Sequence, residues 1–443
     1  MHYASSSRST GKLRPMRPEY DSFIKSAEEK DRHDQLSRFA GYFSKTDPRL
    51  IYLDGNSLGM LPLRTADHLT EVIRNQWGDK LIRSYNDGWW TKPSDLGARI
   101  AKLIGAQPDE VILCDSVSVN MFKIITSALR TKEGKSLIVS DEMNFGTDLY
   151  IIQGIIDLLN KGHKLSLMRS HDGITIGDTE LNSCITDDTA LVSLSYVSFR
   201  SAFMYNMKRV TELAHAHSAY ILWDLCHAVG AVPIDLNGAR ADFAVGCTYK
   251  YLNGGPGATS FLYIRRDLQE KLFSPIWGWW ADADPFSFNN KFSPAGGMKR
   301  FLAGSVPILS SATLDTSLDI FEEAGMDNLR AKSVAMSTFF IDLMREHLAP
   351  LGFSLGSPEK AEMRGSHVSL KHPEAFRICK ALTDESEGEW TIIPDFRSPD
   401  NIRVGFAPLY NSFKEVAIMV SELARITGDR IFENYSPDRG VVT

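Results

Sequence analysis

Cysteine is scarce in this chain, and long apolar runs and extremes of charge are missing. The 443 residues include five cysteines, which are scattered without the spacing of metal ligands or of a disulfide framework. Reduced thiols in a reducing compartment explain this pattern, so we expect a cytoplasmic protein without a metal site. The formal net charge is only −6, and no apolar run approaches the ~18 residues of a membrane span. Nucleic acid and membrane are therefore not expected as partners.

The chain also lacks internal repeats, and its patterning predicts two folded units. Between about residues 94 and 264, short apolar runs alternate with helical periodicities, which predicts a mostly parallel sheet covered on both faces. Two long amphipathic helices and a shorter α+β pattern follow. The first 17 residues have no apolar block, so a secretory signal is not expected there. We predict a disordered tail (1–17), an N-terminal arm (18–60), a large domain (61–309) and a small C-terminal domain (310–443).

Two apolar runs lead into polar residues that suit one cofactor. Ala219–Trp223 precedes Asp224, and Phe243–Cys247 leads to Lys250. The carboxyl ends of parallel strands share one edge of a sheet, so the acid and the amine are expected together. The amine can hold the aldehyde of pyridoxal phosphate as a Schiff base, and the acid can keep the ring nitrogen protonated. Each residue alone is more typical of an ordinary loop lysine or capping aspartate than of a cofactor site, but Tyr249 and the glycine-rich turn beside Lys250 favour the cofactor.

Other loops suggest the rest of a cofactor site. Asp115–Asn120 opens a helix after a strand, where unpaired amides and the helix dipole attract phosphate, although serines there are also ordinary caps. Asn144–Asp148 is a second such loop, whose Phe145 either covers a flat ring or packs in the core. His227 either contacts the cofactor or is a satisfied polar residue. Arg403 ends a strand of the small domain and can grip a carboxylate, with a surface arginine as the alternative.

Together these phrases resemble the kynureninase family, which comprises pyridoxal-phosphate enzymes of fold type I, the aspartate-aminotransferase-like class. The resemblance covers about residues 53 to 424 and implies an α/β fold, with a mostly parallel sheet in the large domain and a smaller α+β C-terminal domain. The phrases that carry it are Leu53–Gly59, Ser118–Asn120, Thr147–Tyr150, Asp224–Ala231, Asp242–Ala258, Pro307–Leu309, and Arg403 with Pro408–Phe413.

The resemblance implies pyridoxal 5'-phosphate as cofactor and assigns the residues around it. Lys250 forms the Schiff base, Asp224 pairs with the ring nitrogen, and Tyr249 completes the catalytic set as a candidate acid. Phe145 stacks on the ring. The other implied cofactor contacts are Val117, Ser118, Thr147, Asp148, Ser195 and His227, with Trp279 and Ser305 supplied by the partner subunit of a homodimer.

The implied substrate is a small α-amino acid. Arg403 binds its carboxylate, and Asn56, Trp280 and Ser305 complete the substrate site. The implied reaction passes through an aldimine and a quinonoid. It hydrolyses L-kynurenine or 3-hydroxykynurenine to (3-hydroxy)anthranilate and L-alanine.

The sequence departs from the family pattern where the aryl ketone is expected. A family phrase that ends in Gly-His here continues from Trp280 as Ala281-Asp282, and two further phrases differ. One alternative is therefore β-elimination with C–S cleavage, or decarboxylation-coupled oxidative deamination, of another β-substituted amino acid. A second alternative is a non-catalytic protein of the same fold. The departing residues are Ser198, Ala202, Ala281, Asp282, Ser305 and Val306.

Replacing Lys250 tests the predicted Schiff base directly. Lys250→Ala removes the only amine assigned to the aldehyde, so the purified variant should lose the borohydride-reducible link to pyridoxal phosphate. Mass spectrometry after reduction measures the link on the wild type and on the variant. A persisting adduct in Lys250→Ala would place the Schiff base on another lysine.

Overall fold

A computed structural model describes residues 20–384 and 389–438, so the predicted tail lies outside the described residues. Two helices continue as π-helical segments, Val72–Lys80 after α2 and Met344–Leu348 after α10. The α-helices of the described part are α1 (Asp21–Arg32), α2 (Arg64–Glu71), α3 (Lys92–Leu103), α4 (Val117–Thr131), α5 (Gly146–Leu159), α6 (Asp178–Cys184), α7 (Met207–Ala216), α8 (Arg266–Gln269), α9 (Ile308–Ala324), α10 (Met326–Leu343), α11 (Ala375–Thr383) and α12 (Phe413–Gly428).

The strands form one large sheet, one small sheet and a separate pair. They are β1 (Leu50–Tyr52), β2 (Val111–Leu113), β3 (Leu137–Asp141), β4 (Lys164–Met168), β5 (Thr189–Ser195), β6 (Tyr220–Asp224), β7 (Phe243–Gly246), β8 (Phe261–Ile264), β9 (Ser354–Leu355), β10 (His367–Lys371), β11 (Thr391–Ile393), β12 (Asp395–Arg397) and β13 (Asn401–Gly405).

The large sheet has the strand order β2-β8-β7-β6-β5-β3-β4. β8 runs antiparallel to both of its neighbours, and the other pairings are parallel. Every residue of β5 and β7 is buried, as expected for strands covered by helices on both faces. The predicted mostly parallel α/β sheet is therefore confirmed. The register places Ser195 directly opposite Asp224 at the carboxyl ends of β5 and β6.

The small sheet, β12-β13-β10-β9, is antiparallel throughout. Ile402 and Val404 of β13 lie in the hydrophobic core under α11 and α12. Because side chains alternate across a strand, Arg403 points to the opposite face. Its cross-strand neighbours are Asp395 on β12 and Ser369 on β10. One face of this sheet therefore builds a core and the other presents charged and polar groups.

The first helix and the strand of the N-terminal arm belong to the core of the small sheet, whereas Phe39 between them packs in the core of the large sheet. β1 pairs in parallel with β11, and α1 packs on α12. The carboxylate of Asp31 accepts the backbone N–H groups of Phe413 (2.7 Å) and Lys414 (2.9 Å) at the start of α12, where the helix dipole favours negative charge. The arm is thus tied to the opposite end of the chain.

The helix α10 contributes to the hydrophobic cores of both sheets. Leu318 and Phe321 of α9, and Leu329 of α10, pack in the core of the large sheet, whereas Met336 and Phe340 pack in that of the small sheet. The domain boundary at residue 310 stays a prediction. No helix in the described ranges is long and apolar enough to cross a bilayer.

Two predicted elements differ in detail. Apolar residues at helical spacing over 62–81 predict one helix, but only α2 is α-helical, and the second half adopts the wider π-helical turn up to Lys80. The strand expected to run to Cys247 ends at Gly246, because the backbone N–H of Cys247 donates to Cys226 Sγ (3.2 Å) instead of continuing the ladder. Lys250 therefore lies in a turn beyond β7.

The turn after β1 packs directly on the turn that carries Lys250. The backbone N–H of Gly59 donates to the carbonyl of Tyr249 at 2.8 Å. A Cβ on Gly59 would lie 2.3 Å from the Lys250 carbonyl oxygen, a distance at which backbone has to move. This close approach requires glycine and joins the N-terminal arm to the site.

Gly59→Ala is expected to separate the two turns. We expect the free energy of unfolding to fall by roughly 1–3 kcal/mol, because the added methyl group overpacks rigid backbone. Urea unfolding of the variant measures this loss. Gly41→Ala is the matched control, since its Cβ would meet nothing within 4 Å. Equal stability of the two variants would contradict the predicted close approach.

Candidate active site

Lys250 and His227 form a close pair beyond the carboxyl ends of β6 and β7. Lys250 Nζ lies 2.9 Å from His227 Nε2. Burial lowers the pKa of His227 well below its ordinary value, and the Lys250 charge lowers it further. A neutral imidazole accepts at one ring nitrogen only, so His227 Nε2 accepts from Lys250 and Nδ1 carries the proton. Nδ1 is buried without a partner among the described residues, and so it is available to a ligand.

The carboxylate of Asp224 is held by backbone and by neighbouring strands. The backbone N–H of Cys226 donates to Oδ1 at 2.9 Å. The Ser195 hydroxyl lies 3.3 Å from Oδ2 and 2.7 Å from Asn144 Oδ1. These contacts follow from the β5–β6 register and fix the direction in which the buried acid points.

The loop that begins α5 places an acid and an exposed ring beside Lys250. Asp148 is 2% exposed, and its Oδ2 has no partner within the described ranges. Burial and the Asp224 charge raise the pKa of Asp148 well above its ordinary value, which favours a protonated carboxyl that can donate. The Phe145 ring is 44% exposed, with Lys250 Nζ 5.9 Å from its centroid. Thr147, in the first turn of α5, is partly exposed.

The start of α4 has features that favour an anion. Val117 and Ser118 occupy its first turn, where backbone N–H groups have no preceding helical carbonyl to bond. The adjacent Asp115 carboxylate is paired with the fully buried Lys123 ammonium, which also donates to the Phe301 carbonyl at 2.6 Å. Lys123 thus offsets the negative charge next to this turn, which favours a phosphate there.

Arg403 lies at the seam between the two sheets and is only 1% exposed. Its Nη1 donates to the Phe199 carbonyl at 2.6 Å, and its Nη2 donates to Ser57 Oγ at 3.0 Å and to the Asp395 carboxylate. Arg403 is therefore a buried, paired guanidinium and not a surface arginine. Its Nε has no partner in the part of the chain that the structure describes.

Asn56, predicted to bind substrate, is fully buried beside β13. Neither its amide nitrogen nor its amide oxygen has a partner among the described residues. A Cβ on Gly405 would collide with its Oδ1, so glycine there makes room for the amide. A buried amide without partners is costly, and a polar ligand would satisfy it.

Trp279, Trp280 and Ser305 are predicted to bind cofactor or substrate. Trp280 is buried and stacked on Trp90, with ring centroids 5.0 Å apart, whereas Trp279 is 40% exposed and Ser305 is exposed. No hydrogen bond or ring contact recorded for the described residues joins these three to Lys250. Their roles in cofactor and substrate binding stay predictions.

The departing residues have structural contacts of their own. The Asp282 carboxylate accepts the backbone N–H groups of Asp284 (2.9 Å) and Ser293 (2.8 Å), so it closes a loop. Ala202 has a φ of +61°, and its N–H donates to the Ser198 carbonyl at 3.0 Å. Ala281 and Val306 are buried among apolar residues of the large domain, in the cluster that also contains Trp280.

Three residues of the site were missed from the sequence. Ser57 and Asp395 contact Arg403, and the buried His367 ring lies 5.7 Å from the His227 ring. Asp395 lies in a short apolar-polar stretch before Arg403, but its pairing depends on the antiparallel register. No local sequence signal separates it from an ordinary surface acid.

Comparison with known proteins points to one family. The family model described as the kynureninase C-terminal domain matches residues 329–423. The kynureninase of Pseudomonas fluorescens is 40% identical over 401 residues, covering 89% of this chain and 93% of that protein. The kynureninase of Burkholderia mallei is 39% identical over the same length and shares.

Solved structures show the same fold at low sequence identity. A C-DES variant with glycine linked to its PLP cofactor has a TM-score of 0.74 at 18% identity, covering 89% of this chain and 98% of that chain. The cysteine desulfurase of Thermococcus onnurineus has a TM-score of 0.73 at 17% identity, covering 86% and 95%. These likenesses establish fold type I.

Asp141, at the end of β3, is expected to make the stability of the protein depend on pH. Asp141 accepts from Tyr205 Oη (2.9 Å) and from the Met143 N–H (2.8 Å) in the loop that leads to Phe145. Burial raises the pKa of Asp141 to about 6. The unfolded chain, with an ordinary carboxyl pKa of about 3.9, releases this proton first, so the native state loses stability as pH rises from about 4 through 6.

Asp141→Asn cannot titrate and is expected to remove this dependence. Its free energy of unfolding, relative to wild type, should rise by roughly 1–3 kcal/mol between pH 4 and pH 7. Urea unfolding at both pH values measures the difference. A difference that is the same at both pH values would show that Asp141 is ionised throughout.

Proposed function

Since this chain belongs to the kynureninase family, sharing 40% of residues with one member across 89% of its length, we propose that it hydrolyses L-kynurenine or 3-hydroxykynurenine. The products are anthranilate or 3-hydroxyanthranilate and L-alanine. Water adds to the γ-carbonyl of the substrate, and the Cβ–Cγ bond breaks. The extent of this identity is the observation that carries the proposal.

Pyridoxal 5'-phosphate is the cofactor, and the residues around Lys250 fit it. The unpartnered Asp148 Oδ2 and His227 Nδ1, together with the exposed Phe145 ring, are the features that a flat, polar ligand would satisfy. Lys250, Asp224 and Phe145 would hold the ring. Ser195, His227 and Tyr249 would line it, and the first turns of α4 and α5 would hold the phosphate through Val117, Ser118, Thr147 and Asp148. When bound, the cofactor supplies an electron sink for bonds at the substrate α-carbon.

Lys250 is proposed to move the α-proton. Its Nζ contacts a neutral imidazole at 2.9 Å, so His227 can accept a hydrogen bond from the amine without adding a positive charge. The Asp224 carboxylate, held by the Cys226 N–H, supplies the negative charge that faces the ring nitrogen. Asp224 and Lys250 are thus held by different neighbours, so each can take its own part in proton transfer.

Tyr249 is proposed to donate the proton that completes L-alanine. Burial raises the pKa of its phenol, and the surrounding thiols raise it further, so the hydroxyl keeps its proton at neutral pH. Its ring lies beside Lys250, with Nζ 5.8 Å from the centroid. A protonated phenol next to the reacting carbon can act as a general acid.

Arg403 is proposed to bind the substrate α-carboxylate through its unpartnered Nε. Asn56, Trp280 and Ser305 are the remaining proposed substrate contacts. Asn56 has the strongest support, because both polar atoms of its buried amide lack partners among the described residues.

A homodimer with shared active sites is part of the proposal. Large apolar side chains are exposed on the segment that contains Trp279, including Trp277 (62%), Phe286 (66%) and Phe288 (83%), and such a patch typically marks an interface. Trp279 and Ser305 would then reach the site of the partner. We also propose a cytoplasmic location, supported by five free cysteines.

The proposed reaction is tested with L-kynurenine and 3-hydroxykynurenine. The wild-type protein, supplied with pyridoxal phosphate, should release anthranilate or 3-hydroxyanthranilate and an equal amount of L-alanine, measured by mass spectrometry. Lys250→Ala is the control and should release neither. Absence of both products, together with thiol release from an S-substituted cysteine, would contradict the proposal and favour β-elimination.

A further inference from the structure

We propose that Asp395 is a positioning residue, which orients the Arg403 guanidinium for the substrate α-carboxylate. The inference rests on the proposed function, in which Arg403 binds that carboxylate. Asp395 and Arg403 are opposite each other on the antiparallel strands β12 and β13, so both side chains leave the same face of the small sheet.

The guanidinium is held from three elements at once. Asp395 contacts Nη2 from β12, Ser57 contacts the same nitrogen from the turn after β1, and the Phe199 carbonyl accepts from Nη1 beyond β5. Asp395 is the carboxylate that hydrogen-bonds Arg403 in the described ranges. The other two partners are neutral, so Asp395 contributes the charged contact.

Because both side chains are buried, the contact between Asp395 and Arg403 fixes the orientation of the guanidinium. The side chains of Arg403 and Asp395 are 1% and 7% exposed. A buried cation without a carboxylate would turn toward another acid, and the half-buried Asp54 acts electrostatically on Arg403. Asp395 therefore determines which side of the guanidinium stays open.

The open side is defined by the two donors that remain, because three of the five N–H groups of the guanidinium contact Phe199, Ser57 and Asp395 and leave Nε–H and the second N–H of Nη1. With Nη1 and Nη2 engaged, Nε is the Arg403 nitrogen without a partner among the described residues. Asp395 is itself shared, since Arg397 Nη2 forms an ion pair with its Oδ2 at 2.9 Å. Arg397 holds the Asp395 carboxylate in place. The Nε–H of Arg403 therefore remains free to donate to a second anion.

The test compares two ligands that differ only in the carboxylate. L-alanine and ethylamine are titrated into the holoenzyme, and binding is followed by the visible absorption of the bound cofactor. In Asp395→Asn the dissociation constant of L-alanine should rise at least about tenfold, as for a lost charge-assisted interaction, while that of ethylamine changes less than about twofold. Steady-state assays should show a higher KM with kcat within about threefold of wild type.

Two further variants bracket the result. Asp400→Asn makes the same chemical change in the β12–β13 hairpin, where the carboxylate accepts only from the Asn401 side chain (3.0 Å) among its described contacts, and should bind both ligands like wild type. Asp395→Glu keeps the charge and should bind L-alanine within about threefold of wild type.

The outcomes separate the inference from the proposed function. If wild type binds L-alanine and Asp395→Asn binds it equally well, Asp395 does not position Arg403. The same conclusion follows if Asp395→Asn weakens both ligands equally, or if neither Asp395 variant retains cofactor, because the role is then structural. If wild type responds to neither L-alanine nor L-kynurenine, the proposed function itself fails.

Discussion

The hydrogen bonds that hold the buried Asp224 carboxylate are the constraint on which the site depends. An acid at the end of a buried strand requires partners, and the backbone N–H of Cys226 and the Ser195 hydroxyl supply them. Ser195 is in place because β5 and β6 pair in parallel with that register. Burial raises the pKa of Asp148, and the charge of Asp224 raises it further. One strand pairing thus sets the polarity of the whole pocket.

Polar and charged residues lie between the hydrophobic cores of the large and the small sheet, and we call this layer the seam. The turn that carries Gly59 packs on the turn that carries Lys250, and Ser57 from the same turn contacts Arg403 of the small sheet. The N-terminal arm therefore connects the turn that carries Lys250 to Arg403. Because the small sheet turns its polar face to this seam, its core can stay apolar while the seam stays charged.

The structure shows the contacts made by the residues that depart from the family pattern. Asp282 closes its own loop through two backbone N–H groups and lies where the family has a histidine. Ala202 adopts a left-handed backbone that is more readily occupied by glycine. These residues therefore shape their own loops, which the sequence resemblance predicts to lie near the aryl ketone.

The sequence by itself determined the α/β class and the cofactor, and it predicted the residues around that cofactor, because strand ends, glycine turns and helix starts are local patterns. Asp224 and Lys250 follow buried runs, and parallel strands bring such ends to one edge. The Arg403–Asp395 pair, the Lys250–His227 contact and the unpartnered Asn56 amide were decided only by the tertiary structure. They depend on cross-strand register and on packing between distant segments. Local sequence does not determine which buried charges form pairs, because the pairing depends on how the two hydrophobic cores pack against each other.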